Sequence, residues 1–185
     1  RTFVLTTTLR ALNQIAEALR GALGRAGAPH IDVLVQGAEP KRVLLARFLA
    51  QPQSVLVGSQ SFWEGIDVVG TALQCVVIDK LPFPPPNDPL IEARAQRVRA
   101  EGREPFIECF VAEAAISLKQ GAGRLIRSES DCGLLVICDS RLSAMPYGRR
   151  LIAALPPMGR LNSAVEAKDW LLSIRTAAAA SESAW

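Results

Sequence analysis

Three side chains suited to binding phosphate lie close together in one short segment. Gln120, Arg124 and Arg127 are separated by four and then three residues, so a helical segment would carry them on one face. Gly121 and Gly123, which lie between them, would let another backbone come close. Guanidinium groups held in this way can stabilise the charge on a phosphoryl group in transfer. In the alternative interpretation, the arginines simply pair with carboxylates just downstream.

The chain lacks the signature that would let it hold nucleotide phosphates by itself. No G-x-x-x-x-G-K-[ST] loop occurs in the sequence. Two apolar runs end in Asp79 and Asp139, as the magnesium-binding strand of an ATPase does. Because apolar strands often end in Asp, we interpret both residues as loop anchors. The arginines are therefore predicted to act on a phosphate held by another domain, and the chain alone is expected to be inactive.

A second candidate segment, residues 58–67, follows directly after an apolar strand run. Small, polar and acidic residues in that position can bring backbone N–H groups and a carboxylate to a ligand, and Gly65 permits conformations that other residues resist. Trp63 could stack on a base, but we favour a role in the core. Asp67 would contact a ribose, bridge to the Arg127 region or cap the next turn, and the sequence leaves these alternatives equal.

The elements that must position these residues alternate between strand and helix patterns. Short apolar runs at 2–8, 31–35, 54–57, 75–78 and 134–138 suit strands covered on both faces. Helical patterns fill most of the intervals, except 82–89, where the prolines exclude a helix. The pattern predicts an α/β fold with a parallel sheet flanked by helices, and functional loops at the carboxyl ends of the strands.

Composition narrows the class of protein. With 185 residues, 49% of them hydrophobic, the chain is long enough for one well-buried domain. It contains no uninterrupted apolar stretch of membrane length and no signal peptide, which predicts a cytoplasmic protein without membrane contact. The net charge of +3 argues against a strongly basic nucleic-acid coat, although arginines cluster locally. The chain begins at Arg1 rather than Met, so we expect it to be part of something longer.

The cysteines are not arranged as metal ligands. Four Cys occur without any C-x-x-C pair, and the chain has one His. Cys75, Cys109 and Cys138 lie on apolar patterns, and we predict that they are buried thiols.

A separate helical pattern follows the Pro156-Pro157 pair. Ser163 and Glu166 have the spacing of a capping box, and an apolar face follows it. We therefore divide the chain into a domain at 1–158 and a helical tail at 159–185. The apolar face either packs on its own domain, which we slightly favour, or docks a partner through four residues, Trp170, Leu171, Ile174 and Arg175.

Three segments, 58–67, 81–89 and 120–133, together resemble the second motor domain of DinG- and XPD-type superfamily 2 helicases. The resemblance covers nearly all of residues 1 to about 158, and the sequence of residues 61–67 is most similar to that of the bacterial YoaA branch. It implies a RecA-like domain of an ATP-driven DNA helicase that moves 5′ to 3′ on single-stranded DNA in repair and replication. A missing first motor domain would bind ATP and Mg²⁺, and commonly an iron-sulfur cluster.

The resemblance also implies roles for individual residues. Arg127 would be the arginine finger, Arg124 would assist it, and Gln120 would sense the γ-phosphate, with Gly123 in the same motif. A second motif would link the state of the nucleotide to the bound DNA through Glu64, Gly65 and Asp67. The residues implied to contact DNA are Thr6, Thr7, Thr8, Ser59 and Lys80.

A partner follows from the YoaA branch, whose members are implied to bind χ, an accessory subunit of DNA polymerase III. We place that contact on the tail. Two function classes therefore stay open, the motor half of a helicase and a partner-binding module, and they are not exclusive. The Phe-Trp-Glu-Gly sequence of residues 62–65 argues against an RNA-directed or chromatin-type motor.

Overall fold

All strands of the chain form a single parallel sheet within the part of the chain that the structure describes. This computed structural model describes residues 1–59, Phe62, 73–126 and 131–182, with 175–182 as backbone only. The sheet has five strands in the order β2-β3-β1-β4-β5, which are β1 (Thr2–Thr6), β2 (Asp32–Val35), β3 (Ser54–Ser59), β4 (Cys75–Ile78) and β5 (Leu134–Ile137). The predicted parallel α/β architecture is confirmed.

The helices connect and cover the strands. They are α1 (Leu9–Arg25), α2 (Lys41–Ala50), α3 (Pro89–Ala100), a π-helical segment (Phe106–Val111) that continues into α4 (Ala112–Ala122), then α5 (Arg141–Ala144), α6 (Gly148–Ala154) and α7 (Ala164–Glu182). Helix α3 begins at Pro89, the last residue of the stretch in which the prolines were expected to exclude a helix, because Asp88 accepts hydrogen bonds from two N–H groups of its first turn. Among the described helices, none has both the length and the apolar character needed to cross a bilayer.

Alternating side chains of the strands build two separate cores. One face of the sheet packs against α1, and this core contains Val4, Val33, Val35 and Val57 with Leu12 and Ala16. The opposite face packs against α2, α4 and α6, and that core contains Phe3, Leu34, Leu56, Val76 and Ile78 with Leu44, Phe48, Leu118 and Leu151. This period of two is what a strand covered on both faces requires.

Because every strand runs in the same direction, the sheet has two distinct edges across its strands. The carboxyl edge is formed where β1, β3, β4 and β5 end, at Thr6, Ser59, Ile78 and Ile137. The amino edge is formed where the strands begin, and Arg1, Gln74 and Gly133 lie next to those positions. The chain between Ser59 and Leu73 joins the carboxyl end of β3 to the amino end of β4.

The outer strand β5 is less covered than the sequence pattern predicts. All four of its residues are only partly buried, because β5 lies at the side of the sheet. The prediction that Cys138 is buried is wrong for the same reason, since Cys138 is exposed just beyond β5, whereas Cys75 and Cys109 are buried as expected. Burial, together with the charge of Asp79, still raises the pKa of the Cys138 thiol, so this exposed cysteine is not an activated nucleophile.

Candidate functional site

The phosphate-binding segment begins on a helix and continues in a tight turn. Helix α4 ends at Ala122, so Gln120 is helical whereas Arg124 is not. In the turn, Arg124 donates its N–H to the carbonyl of Gly121 (3.2 Å), and Leu125 donates to Ala122 (2.9 Å). The expectation that Gln120 and Arg124 share a helical face is therefore wrong, because Gly123 ends the helix between them.

The glycine at the helix end has a different use from the one expected. A Cβ atom at Gly123 would lie 3.1 Å from the carbonyl oxygen of Lys119 and near that of Gln120. Among the described residues, the close approach to Gly123 is therefore made by the end of its own helix. Gly123 thus lets the chain turn sharply over the last carbonyls of α4, one of which accepts its N–H at 2.8 Å.

Leu125 anchors this turn at the amino edge of the sheet. Its side chain is 3% exposed and packs into the larger core. It also packs directly against Gly133, just before β5, and Gly133 in turn lies close to the carbonyl of Gln74, just before β4. Arg124, the neighbour of Leu125 in the chain, is consequently held near the amino ends of β4 and β5, although functional loops were predicted at the carboxyl ends.

Four other motif residues with predicted roles at the nucleotide are not among the described residues. Arg127 lies outside the described residues, and so do three residues of the second motif, Glu64, Gly65 and Asp67. The strand positions nevertheless fix both ends of the segment that contains this second motif, because the segment leaves the carboxyl end of β3 and enters the amino end of β4.

At the carboxyl edge, Asp139 fastens two loops together. Its carboxylate accepts the N–H of Leu81 at 2.9 Å, and it pairs with the Arg141 guanidinium at 2.6 Å. The Arg141 hydrogen bond, with further help from the N–H groups of Leu81 and Arg141, lowers the pKa of the Asp139 carboxyl to about 2. The interpretation of Asp139 as a loop anchor is confirmed.

Asp139→Asn is expected to lower the free energy of unfolding by about 1–3 kcal/mol at neutral pH, because a charged acceptor is removed from a side chain that is 7% exposed. The folded-state pKa is depressed from 3.8 to about 2, so the contribution of this carboxylate is complete above about pH 5 and is lost as pH falls toward 2. Urea unfolding of both proteins from pH 7 to pH 2.5 measures this. A difference that stayed constant over that range would contradict the assignment.

The three threonines at the end of β1 and just after it differ in how far they are exposed. Thr6 is fully buried, and its hydroxyl bonds the carbonyls of Thr8 (3.2 Å) and Gly58 (3.4 Å). A DNA contact by the Thr6 hydroxyl is therefore excluded in this arrangement. Thr8 is exposed and caps α1, because its hydroxyl accepts the N–H of Ala11 at 3.2 Å. Thr7 is half-buried between them.

Ser59 ends β3 beside a residue that the motifs did not identify. Gln36 Oε1 accepts both the N–H (2.6 Å) and the hydroxyl (2.9 Å) of Ser59. Gln36 follows β2, so this pair joins the carboxyl ends of two neighbouring strands. The only sequence signal for Gln36 was its position after a strand.

Positive charge at the carboxyl edge is distributed unevenly. The first turns of α1 and α2 contain no acidic residue and begin with Arg10 and with Lys41 and Arg42. Lys41 lies over the Phe62 ring, 5.0 Å from its centroid. On the other side, Lys80 pairs with Asp79 at 3.3 Å, and Arg141 pairs with Asp139. Among the described ion pairs, none involves Arg10 or Arg42, so the described side chains at this edge have their positive excess on the β2-β3-β1 side.

An aromatic cluster beside the proline loop was also missed in the sequence. Phe83 stacks on Phe106 at 5.7 Å and meets the edge of Tyr147, and Phe106 stacks on Phe110 at 6.1 Å. Arg141 lies over the Phe83 ring. The cluster packs the loop after β4 against the π-helical segment.

The tail contacts the domain but keeps apolar surface exposed. The predicted capping box is present, since Glu166 donates its N–H to Ser163 and its carboxylate accepts the N–H of Asn162. Trp170 donates its indole N–H to the carbonyl of Gly133 at 3.4 Å, yet it is 42% exposed. Leu171 and Ile174 are half-buried, and the Arg175 side chain lies outside the described part. The exposed apolar residues also include Val165 and Leu172.

The fold and these motifs define a motor domain of the helicase type. The sequence pattern of the family described as "Helicase C-terminal domain" matches residues 1–158, so the chain belongs to that family.

Individual relatives agree with this membership. The ATP-dependent DNA helicase YoaA of Escherichia coli (strain K12) is 43% identical over 171 residues, covering 92% of this chain and 26% of YoaA. The ATP-dependent helicase DinG of Mycobacterium tuberculosis (strain ATCC 25618 / H37Rv) is 38% identical over 168 residues, 91% of this chain and 24% of DinG. A solved structure of an XPD helicase shares the fold, with a TM-score of 0.55 at 20% identity, covering 85% of this chain and 28% of that one. The chain thus spans about a quarter of the length of these relatives.

Proposed function

We propose that this chain is the second motor domain of an ATP-dependent 5′–3′ DNA helicase that acts in DNA repair or replication. The observation that carries the proposal is the separation of two sets of residues across the sheet. The Gln120–Arg124 turn lies near the amino edge, whereas Thr7, Thr8 and Ser59 lie at the carboxyl edge. Strands as short as β4, with four residues, separate those edges by only about 13 Å.

The amino-edge set would act on ATP held by another domain. Gln120, Arg124 and Arg127 carry charge and hydrogen-bonding groups but no phosphate loop accompanies them. ATP and Mg²⁺ would therefore be bound mainly by a first motor domain, and Arg127 would reach the γ-phosphate when the two domains close. This chain alone would be inactive. An iron-sulfur cluster, if the whole protein has one, would use cysteines of that other domain, because the described residues of this chain hold no metal-ligand cluster.

Coupling between ATP and DNA would use the connection that crosses the sheet. Residues 60–72 leave the carboxyl end of β3 at Ser59 and reach the amino end of β4. Glu64, Gly65 and Asp67 belong to this connection, so a displacement at the nucleotide side would be passed to the DNA side along one covalent segment. Domain closure with DNA bound to both domains then produces stepping, as in hinge-type motions.

The DNA side would be the β2-β3-β1 part of the carboxyl edge. Single-stranded DNA is a polyanion, and the positive ends of α1 and α2 there carry basic rather than acidic first turns. Thr7, Thr8 and Ser59 would contribute hydroxyl and N–H groups to the phosphates. Lys80, an expected phosphate contact, would contribute less, because Asp79 already neutralises it.

Arg42→Gln is expected to weaken binding of an oligo-dT strand and to reduce the slope of log K against log salt by about 0.7, the value for one lost phosphate contact on a single strand. Fluorescence anisotropy in a protein that joins this chain to a first motor domain measures both. The matched control is Arg25→Gln, which also removes one positive charge. Arg25 lies in the last turn of α1, at the end of that helix away from the carboxyl edge. Equal slopes for Arg42→Gln and the wild-type protein would exclude this edge as the track.

The direction of movement needs its own assay. The proposal predicts displacement of a strand from a duplex with a 5′ single-stranded tail and not from one with a 3′ tail. The opposite preference would overturn the proposed polarity but not the family membership. A motor of this kind would work in the bacterial cytoplasm, where its DNA is.

A second candidate function is docking of a partner by the tail, and the proposed boundary at 158 separates it from the motor. The exposed apolar side chains on α7, Val165 at 68%, Leu172 at 44% and Trp170 at 42%, favour this candidate. A polymerase III accessory subunit, χ, is the partner we propose for that surface. Leu172→Asp should abolish χ binding in a pull-down with purified proteins while ATP turnover persists. Undiminished binding would exclude this face of the tail.

A further inference from the structure

One contact of the tail leads directly to the phosphate-binding turn. The Trp170 indole donates its N–H to the carbonyl oxygen of Gly133 at 3.4 Å. Gly133 begins the approach to β5, whose first residue, Leu134, donates its N–H to Gln74 at 2.9 Å. The tail is thus fastened to the amino edge, the same edge that holds the turn after α4.

Gly133 has no free space on the side that faces the turn. A Cβ atom built there would fall 2.8 Å from Cγ of Leu125 and 3.0 Å from the carbonyl oxygen of Gln74. Leu125 and the Gln74 carbonyl therefore occupy the space that a side chain at position 133 would take, so a displacement of the Gly133 backbone toward the turn is resisted by Leu125. Leu125 is the residue that fixes the turn in the core, and it follows Arg124 directly.

We infer that Trp170 is a positioning residue for the turn after α4, which carries Arg124, acting through Gly133 and Leu125. This inference rests on the proposed function, because it assigns the tail a part in placing Arg124 against ATP. A tail helix held by Trp170 keeps the turn in the geometry that reaches the γ-phosphate. A helix released from Gly133 lets the turn relax.

The loss of the Trp170 contact is expected to change kcat for ATP and no other kinetic constant. Misplaced arginines weaken the transition state far more than they weaken bound ATP or DNA, so kcat falls while the KM for ATP and the affinity for DNA stay constant. Couplings of this kind through packed side chains change a rate by about 2- to 30-fold. A merely structural contact would instead lower the amount of folded protein without changing the kcat of the folded fraction.

The test compares Trp170→Ala, Trp170→Phe and the control Lys168→Ala, an exposed position on the same helix, in a protein that joins this chain to a first motor domain. At saturating oligo-dT, Trp170→Ala should lower kcat for ATP by about 2- to 30-fold, Trp170→Phe should keep part of it because the ring still packs, and Lys168→Ala should match the wild type. Active-site titration corrects for unfolded protein.

Hydrogen exchange of the 185-residue chain gives a second readout that does not depend on ATP. The Leu125 amide, which donates to Ala122, should exchange faster in Trp170→Ala and at the wild-type rate in Lys168→Ala. A wild-type kcat in Trp170→Ala, or an unchanged Leu125 rate, would overturn the inference. The proposed function fails separately, through an Arg127→Ala protein that retains full ATP turnover.

Discussion

We expect Arg127→Ala to lower DNA-stimulated ATP turnover by about a thousandfold or more, with binding of single-stranded DNA retained. This is the expected size of the effect when an arginine finger is lost, since the guanidinium neutralises charge that appears on the γ-phosphate only in the transition state. DNA binding should persist because the proposed track, at the ends of β1 and β3, lies across the sheet from the turn that leads to Arg127. Steady-state ATP turnover with and without oligo-dT, together with anisotropy, measures both properties.

Two further variants make the result specific. Arg127→Lys keeps the charge but loses the planar fork of donors, so it should recover only a small part of the rate. Arg97→Ala removes an arginine whose side chain is 85% exposed on α3, where it pairs with Glu101 in the next turn, and it should turn over ATP at the wild-type rate. An Arg127→Ala protein with normal DNA-stimulated turnover would remove the basis for assigning the segment 120–127 to ATP hydrolysis.

Gly148→Ala has the largest expected effect on stability, a loss of about 3 kcal/mol or more in the free energy of unfolding. A Cβ atom on Gly148 would overlap the backbone carbonyl of Leu142, and a backbone group cannot rotate away as a side chain can. The overlap would push α6 away from α5 and disturb Leu151 and Tyr147, which lie in the larger core. Urea unfolding followed by far-ultraviolet circular dichroism measures the loss.

The matched control is the same substitution where space is free. Gly24 lies in α1, and a Cβ atom there would meet no other atom within 4 Å. Gly24→Ala should therefore stabilise the chain by about 0.5–1 kcal/mol, because alanine loses less conformational entropy in a helix. If Gly148→Ala unfolded within 1 kcal/mol of the wild type, about the size of an ordinary substitution, the packing of α6 on the α5 region would be wrong.

Local sequence patterns were sufficient for the elements of the fold. The run 75–78 was predicted as a buried strand and forms β4 with the same bounds, because four apolar residues between polar neighbours admit few alternatives. The exclusion of a helix from 82–89 failed at its last residue, because Pro89 is tolerated at the first position of α3 behind the Asp88 cap. The strand after Arg1 was predicted two residues too long, because Thr8 is drawn into capping α1.

Features that depend on distant partners could not be read from the sequence. The place of the turn after α4 depends on packing of Leu125 against Gly133, eight residues further along the chain and across a sheet edge. The exposure of Cys138 depends on the order of strands, which no local pattern reveals. The burial of Thr6 also depends on the order of strands, because β1 lies in the centre of the sheet. A threonine occurs in central strands and at the surface, so its residue type does not predict its burial.

The candidate site was predictable in its chemistry but not in its arrangement. Residue types and spacing alone indicated cations directed at a phosphate, and the missing phosphate loop indicated that a second domain must hold it. The helicase assignment needed three motifs in order, since Arg and Gln residues bind phosphate in many unrelated proteins. The division of these motifs between the two edges required the topology, because β3 and β4 are separated by β1 in the sheet.

The central place of β1 also determines the order in which this domain can assemble. Residues 2–59 supply β1, α1, β2, α2 and β3, which are close in the chain and pair with one another on one side of β1. The other side of β1 pairs with β4, more than seventy residues later. During synthesis from the amino terminus, the free side of β1 therefore stays open until residues 75–78 arrive, and an unpaired parallel strand of apolar residues invites aggregation. We expect the early half of this domain to be the part that depends most on chaperones.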